Sequence, residues 1–285
     1  MTAEDQEEVI RFAQRSGLAI VGVMGGEPTL HPEFVPFLER FRAAGLKVRV
    51  FTGGLMPRGV LGYLKTQDPE HVRLVINVPA PDEGLTPRQG EQFYETLQEL
   101  AGLSALAFTI CDLRQDLRFL ADLAVRFGVR RRIRLGLGVP RVAARKTVTL
   151  APAQYRAVAP RVLEFAVECR QRGLSLGFDC GFPRCMFSEE DLAVLQGCDV
   201  PPVFTCTPVV DIGPDLTTWS CFPLASLDRV PLQDFSTREE VVEHFGTRQK
   251  PYRSFGIYDR CHVCEHKRCG ACSGGCLAHV IRSFT

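Results

Sequence analysis

The chain has 285 residues, enough for one large domain or for a barrel-sized domain with an appendage. Its 34 Lys and Arg stand against 33 Asp and Glu, so nothing in the charge points to nucleic acid or to an acidic membrane surface. No apolar stretch approaches the roughly 18 residues of a membrane span, and the opening "MTAEDQEEVIRFAQRSG" is too acidic for a signal peptide, so a soluble, cytoplasmic protein is expected.

"AEDQEEVIRFAQRSG" spaces Val9, Ile10, Phe12 and Ala13 as an amphipathic helix that Gly17 can stop, and "LAIVGVM" follows as a continuous apolar strand. The same alternation returns in "PEFVPFLERFRAAG" then "KVRVFTGG", "RGVLGYLKT" then "HVRLVINV", and "TPRQGEQFYETLQELAG" then "ALAFTI". It continues in "QDLRFLADLAVRFG" then "RIRLGLGV", and in "APAQYRAVAPRVLEFAVECRQRG" then "LSLGFD". Short buried strands between longer amphipathic helices imply an α/β fold with a parallel sheet covered by helices. Periodicity alone fits both a doubly wound sheet and a partial barrel of the (β/α) kind. On the barrel reading, a chain that opens on a helix lacks the first strand. The run "RRRIR" (Arg130 to Arg134) reads as the solvated end of an element.

The character changes near residue 180. Ten of the twelve cysteines lie at or beyond that point, which divides the chain into a core-forming part, 1–180, and a metal-organised α+β part, 181–285. In the second part "SEEDLAVLQG" is a short helix capped by Ser188, and "TPVVDIGPDLTTWSC" reads as two short strands around a turn at Gly213-Pro214-Asp215. "STREEVVEHFGT" has the form of a capping box from Ser236 to Glu239, and "LAHVIRSF" makes a last helical turn or two.

In a reducing compartment clustered cysteines signal metal or redox chemistry rather than bridges. The tail offers Cys261-x2-Cys264, Cys269-x2-Cys272 and Cys272-x3-Cys276, while fourteen residues separate Cys206 from Cys221. Two C-x2-C pairs suit a zinc ribbon, but eight to ten late cysteines suit two four-cysteine iron–sulfur clusters better than one structural zinc; spacing leaves both open. His262 and His266 sit among enough thiolates that neither is needed as a ligand, and His31 reads as a cap or a solvent-facing ring. Trp219 and Phe222 read as packing residues.

"VGVMGGEPTLHPEF" places Gly25, Gly26, Glu27 and Pro28 at the carboxyl end of a strand, where α/β sheets and barrels bind ligands. Glycines there admit a ligand to the backbone, and a carboxylate can accept hydrogen bonds from a cationic amine. "GGEPTLHPEF" resembles the second signature motif of radical S-adenosylmethionine (radical SAM) enzymes, whose glycines and glutamate contact the amino group of that cofactor. "VRVFTGG", with Thr52 and with Gly53 in the place of the family's Asn, resembles the motif at the end of the next strand. Asn77 in "VINV", Thr109 in "LAFTI" and the strand "RLGLG" ending at Leu137 then occupy strand ends where relatives bind the methionyl and ribose parts. The tail "CHVC…CSGGCLA" resembles a SPASM or twitch domain carrying auxiliary 4Fe-4S clusters, with "DIGPDLTTWSCFPL" as its hairpin.

The resemblance implies a partial (β/α)6 barrel missing its first strand, followed by a small SPASM-like domain. It implies cleavage of S-adenosylmethionine to take a hydrogen from a substrate, commonly a peptide or protein, and an electron donor such as flavodoxin or ferredoxin. It further implies that Cys206, Cys221 and Cys276, with Cys198 or Cys185, hold an inner cluster, and that Cys261, Cys264 and Cys272, with Cys269, hold an outer one. Asp179 and Cys180, at the end of the last strand, face the mouth as candidates for proton transfer, Cys180 equally as a further ligand. Residues 1–26 contain no cysteine, and the family's C-x3-C-x2-C triad is absent from these 285 residues. The chain as written is therefore expected not to cleave the cofactor: either a segment precedes it, or it is a non-catalytic iron–sulfur relative serving electron transfer or as a scaffold.

Overall fold

Six parallel strands lie side by side in the order in which the chain makes them: β1 (Ile20–Val23), β2 (Lys47–Thr52), β3 (Val72–Asn77), β4 (Ser104–Ile110), β5 (Arg132–Leu137) and β6 (Ser175–Phe178). Helix α1 (Ala3–Arg15) precedes β1, and the crossovers are α2 (Phe34–Ala43), α3 (Arg58–Lys65), α4 (Pro87–Glu99), α5 (Arg118–Phe127) and α6 (Tyr155–Gln171). The structure, a computed structural model, describes residues 1–81, 84–146, 148–200 and 203–284. A doubly wound sheet reverses its winding at a switch point. This one never does, so the alternation resolves as the partial barrel.

Period-2 alternation gives the two faces of the sheet different chemistry. Val48, Val50, Leu74, Ile76, Leu106, Ile133 and Leu135 point outward and join the main core with Phe41, Leu64, Leu97, Leu120 and Phe165 of the helices. The alternate positions carry Gly22, Arg49, Phe51, Arg73, Ala107, Arg134, Gly136 and Gly177. Val75 and Ala107 on this second face are buried yet lie outside that core. The sheet curls about this face: the Arg134 guanidinium of β5 sits 5.5 Å from the ring centre of Phe51 in β2, three strands away.

Beyond β6 the chain forms α7 (Glu189–Gly197), the three-stranded antiparallel set β7 (Asp211–Ile212), β8 (Thr217–Trp219) and β9 (Val230–Pro231), then α8 (Arg238–Arg253), α9 (Glu265–Arg268) and α10 (Leu277–Arg282). Ser188 caps α7 as expected: its hydroxyl accepts from the Asp191 N–H at 3.1 Å while the Asp191 carboxylate accepts from the Ser188 N–H at 2.8 Å. The capping box expected at Ser236 and Glu239 does not form. Instead α8 starts one residue later with Thr237 at its N-cap, the Glu240 carboxylate accepts from the Ser236 N–H at 2.7 Å, and the Ser16 hydroxyl accepts from the Arg238 N–H at 2.9 Å. A hydroxyl from the end of α1 satisfies a helix donor that a local side chain was expected to take. The hairpin turns where expected, and Leu216 adopts φ 56° to close it. That conformation costs a non-glycine residue about 1–2 kcal/mol, offset by packing of Leu216 against the small core that contains Leu232 and Phe245.

Two smaller cores complete the molecule. One gathers Leu224, Cys276, Leu277, Ala278, Val280 and Ile281. The other joins Phe12 of α1 to Leu232, Phe235, Val241 and Phe245, so the first helix packs into the last third of the chain. Among the described residues no helix is long and apolar enough to cross a membrane.

Candidate functional site

At the carboxyl end of β1 the chain turns through Gly25 and Gly26 into a short 3-10 turn, Pro28–Leu30, with Glu27 at its N-cap. The Glu27 carboxylate holds four hydrogens. Oε1 accepts from the Thr29 N–H at 3.1 Å, the Thr29 hydroxyl at 2.5 Å and the Thr52 hydroxyl at 2.8 Å, and Oε2 accepts from the Gly53 N–H at 2.7 Å. Thr52 in turn accepts from the Gly54 N–H at 3.0 Å. The ends of β1 and β2 are thereby clamped together, and Glu27 acts as the clamp rather than as a free acceptor. A methyl group built at Gly25 or Gly26 would touch nothing within 4 Å, so packing does not require glycine at either position. What the loop leaves open is its backbone, a cradle that side chains would fill.

Asn77 and Thr109 are exposed on the concave side at the ends of β3 and β4. Leu137 is not on that side: it is buried in the main core, and its neighbour Gly136 faces inward beside the Thr109 hydroxyl and the Asp179 carboxylate. Asp179 accepts from Arg134, Nε at 3.0 Å and a terminal nitrogen at 2.5 Å, with both side chains half-buried. Arg134 therefore lies across the curled sheet between Phe51 and Asp179, not in solvent as "RRRIR" suggested. The signal was present in "RIRLGLG", where a period of two puts Arg132, Arg134 and Gly136 on one face.

No disulfide joins any of the twelve cysteines. Cys180, Cys206, Cys221 and Cys276 form one group: burial pushes Cys276 and Cys221 up to about 12, and the nearby thiols of the same set add to both. Cys180 is solvent-accessible, yet desolvation by the surrounding protein raises its thiol, and Cys206 and Asp179 add to the rise. Four separate loops meet here, since Cys180 follows β6, Cys206 precedes the hairpin, Cys221 ends it and Cys276 opens α10. The Ser273 hydroxyl accepting from the Cys206 N–H at 2.8 Å and Arg253 donating to the Cys206 carbonyl at 2.6 Å hold that loop against the tail.

A second group comprises Cys185, Cys261, Cys264 and Cys272. Burial raises Cys261, and Cys185, Cys272 and Cys264 raise it further. The Arg260 guanidinium hydrogen-bonds the Cys185 side chain, and Arg156 donates to the Cys185 carbonyl at 3.4 Å, which fixes this residue beside the tail. Cys198 instead lies near Cys169 at the end of α7, and Cys269 is exposed with its thiol donating to the His266 carbonyl. Among the described residues no three Cys, His, Asp or Glu side chains converge tightly enough to grip a single metal ion. Thiolates are the soft donors that zinc and iron–sulfur clusters both use.

No family model matches the chain. Over 127 residues it is 32% identical to the 7-carboxy-7-deazaguanine synthase of Koribacter versatilis, a match covering 43% of this chain and 51% of that protein. The chain thus spans about half the length of the curated relative it matches. Among solved structures it superposes on Streptococcus suis SuiB with a TM-score of 0.66 at 16% identity, covering 99% of this chain and 68% of SuiB. SuiB has also been solved bound to S-adenosylmethionine (TM-score 0.64, 17% identity, 99% of this chain and 67% of that one). A third SuiB structure, bound to the precursor peptide SuiA, superposes at 0.66 and 17%, covering 99% of this chain and 66% of that one. Histidine-tagged anSMEcpe with bound AdoMet superposes at 0.58 and 16%, covering 97% of this chain and 80% of its own. The chain has the fold of these S-adenosylmethionine-bound proteins, and the resemblance drawn from "GGEPTLHPEF" is borne out at that level.

Proposed function

We propose that this chain is the cofactor-binding barrel and cysteine-rich tail of a radical SAM enzyme that modifies a peptide. The observation that carries the reading is the loop at Gly25-Gly26, open to a ligand and clamped to β2 by Glu27 at the carboxyl end of the sheet. The neighbours solved with S-adenosylmethionine and with a precursor peptide share the fold that presents it. S-adenosylmethionine, when bound and reductively cleaved, would supply the group that takes a hydrogen atom from the substrate. This chain's part is to present the Gly25 and Gly26 backbone to the cofactor's amino-acid end and to offer Asn77 and Thr109 from the neighbouring strands. Arg134, held by Asp179, puts a fixed positive charge inside the curl.

Eight of the ten late thiols would hold two auxiliary 4Fe-4S clusters, the inner on Cys180, Cys206, Cys221 and Cys276, the outer on Cys185, Cys261, Cys264 and Cys272. Cys198 and Cys269 stand outside both sets. The protein reconstituted anaerobically is expected to carry roughly eight irons per chain with labile sulfide, and to retain S-adenosylmethionine in equilibrium dialysis. Gly25→Val with Gly26→Val should remove that retention while leaving the iron in place. Zinc without labile sulfide would sink the cluster assignment, and full retention by the double variant would sink the loop assignment.

A second reading has its own support: no C-x3-C-x2-C triad occurs in these 285 residues. A chain without a radical-generating cluster would serve as an electron-transfer or scaffold protein. Expressing the protein together with any in-frame coding sequence upstream of Met1, and assaying 5′-deoxyadenosine formation with a reductant, separates the two. Product formation supports the enzyme; a fully loaded protein that forms none supports the scaffold.

A further inference from the structure

Charge is spread unevenly along this chain although it balances overall. From Thr247 to the end seven Lys and Arg stand against two Asp and Glu, whereas the whole chain has 34 against 33. The excess falls on the cysteine-rich tail, where Arg260, His262 and Arg268 are exposed in the stretch that carries Cys261, Cys264 and Cys272. Val263, between Cys261 and Cys264, is 66% exposed, an uncovered apolar side chain within that basic stretch.

An open pocket of about 550 Å³ lies between the start of α6 and the segment that leads into the tail, lined by Ala153, Arg156, Ile257, Tyr258, Asp259 and Arg260. Its two walls are tied together: the Tyr258 hydroxyl donates to the Pro152 carbonyl at 2.6 Å, and the Arg260 guanidinium lies 5.2 Å from the Tyr258 ring centre. Both arginines are exposed, and among the described residues neither forms an ion pair, with Asp259 or with any other carboxylate. They also reach inward, since Arg260 hydrogen-bonds the Cys185 side chain and Arg156 donates to the Cys185 carbonyl at 3.4 Å. The planar fork of a guanidinium matches a carboxylate. A carboxylate seated in this pocket is therefore one guanidinium away from the outer thiol set.

We propose that this face docks an acidic one-electron carrier protein, one of whose carboxylates enters the pocket between Arg156 and Arg260. The proposal rests on the outer iron–sulfur assignment above and adds the partner's charge and its landing place. One electron leaves the reduced carrier and enters the group held by Cys185, Cys261, Cys264 and Cys272; no bond forms or breaks and no proton moves. Encounters of this kind are brief and bury less than about 1,200 Å², so complementary charge rather than a large apolar groove brings the partners together. Exposed cations around one apolar side chain, with thiols directly behind them, form such a surface.

The test uses fluorescently labelled flavodoxin, an acidic carrier. Anisotropy with the reconstituted protein should show binding at low salt that weakens as salt rises. Arg156→Gln combined with Arg260→Gln should weaken it by about tenfold or more, and exposed Arg88→Gln should change nothing. Because both arginines touch Cys185, iron is measured on every preparation. Arg156→Lys with Arg260→Lys gives up the forks but keeps the charges, and should retain most of the binding. The proposal is overturned by no binding, by binding indifferent to the Gln pair, or by a loss in the Lys pair as large as in the Gln pair. Equal binding of cytochrome c, a basic carrier, or tighter binding of single-stranded oligothymidylate or of phosphatidylserine vesicles overturns it as well. Metal analysis tells this failure from failure of the cluster reading: roughly eight irons with labile sulfide but no carrier bound sinks only the docking face. Carrier bound to a protein that holds zinc leaves the electron no destination and sinks both.

Discussion

Glu27 commits both carboxylate oxygens to its own protein, two donors from Thr29 and two from the end of β2. Glu27→Gln supplies one acceptor oxygen and sets an amide NH2 against a donor. Losing charge-assisted bonds in a half-buried clamp should cost about 2 kcal/mol in urea unfolding and weaken S-adenosylmethionine retention at least tenfold. Unchanged retention would show that Gly25 and Gly26 keep their shape without the clamp. The sequence marked Glu27 as chemistry but not as architecture, because its partners, Thr52 and Gly53, come from a different strand. Arg134 was hidden by a similar reading: a run of arginines looks solvated until alternation is applied residue by residue.

A second pair at this scale lies behind the inner thiols. The hydroxyl of fully buried Tyr155 stands 2.8 Å from His279 Nε2, joining α6 to α10, and burial holds His279 down to about 4. The folded ring is thus neutral at pH 6, whereas the unfolded chain takes up its proton near 6.5. Because the unfolded state binds the extra proton, this pair's contribution is complete above about pH 7. It is lost as pH falls from 6.5 toward 4, at no more than about 1.4 kcal/mol per pH unit. Tyr155→Phe should cost about 1–2 kcal/mol at pH 7.5 by leaving the ring nitrogen without its partner. Urea titrations at pH 5.0 and 7.5 check both statements.

At the scale of elements the strands were legible and the tail less so. Apolar runs bounded by Gly and charged residues located all six strands of the sheet, and turn chemistry located the hairpin. The start of α8 was misplaced because its first donor is answered by Ser16, more than two hundred residues away in sequence. Cysteine grouping escaped spacing for the same reason: Cys180 and Cys185 precede α7, yet they stand with thiols of the hairpin and tail. This grouping yields a contrast. Cys180→Ala and Cys185→Ala should each lower the iron content by up to half, whereas Cys198→Ala and Cys269→Ala should leave it unchanged. Iron and sulfide analysis of the four reconstituted variants is the check, and loss of iron in Cys269→Ala would move the outer set toward the tail.

The whole molecule is tied at its two ends. Phe12, fully buried, belongs to the core formed by Leu232, Phe235, Val241 and Phe245, and Arg15 donates to the Ser236 carbonyl at 3.2 Å. Phe12→Ala should destabilise by about 3–5 kcal/mol. It should also shift the emission of Trp219, the single tryptophan, which packs on that same core. In the wild type, Trp219 fluorescence and far-UV circular dichroism should share one unfolding midpoint, since α1 serves both the sheet and the tail. Two separated midpoints would show that this shared helix does not couple them. Composition suggested a boundary near residue 180, but the packing of α1 against residues beyond it was invisible, because an amphipathic stripe does not say which partner it will meet.

That shared helix sets a timetable. A ribosome delivers Phe245 more than two hundred residues after Phe12, at roughly 5–20 residues per second. For tens of seconds α1 must wait with its aromatic face uncovered while the six strands are laid down beside it. The nascent protein is then a sheet whose first helix has docked by Ile10 and Ala13 but still bares Phe12, a substrate for holding chaperones. Chains stalled before α8 emerges should be cut in α1 by protease, and chains stalled after it should be protected.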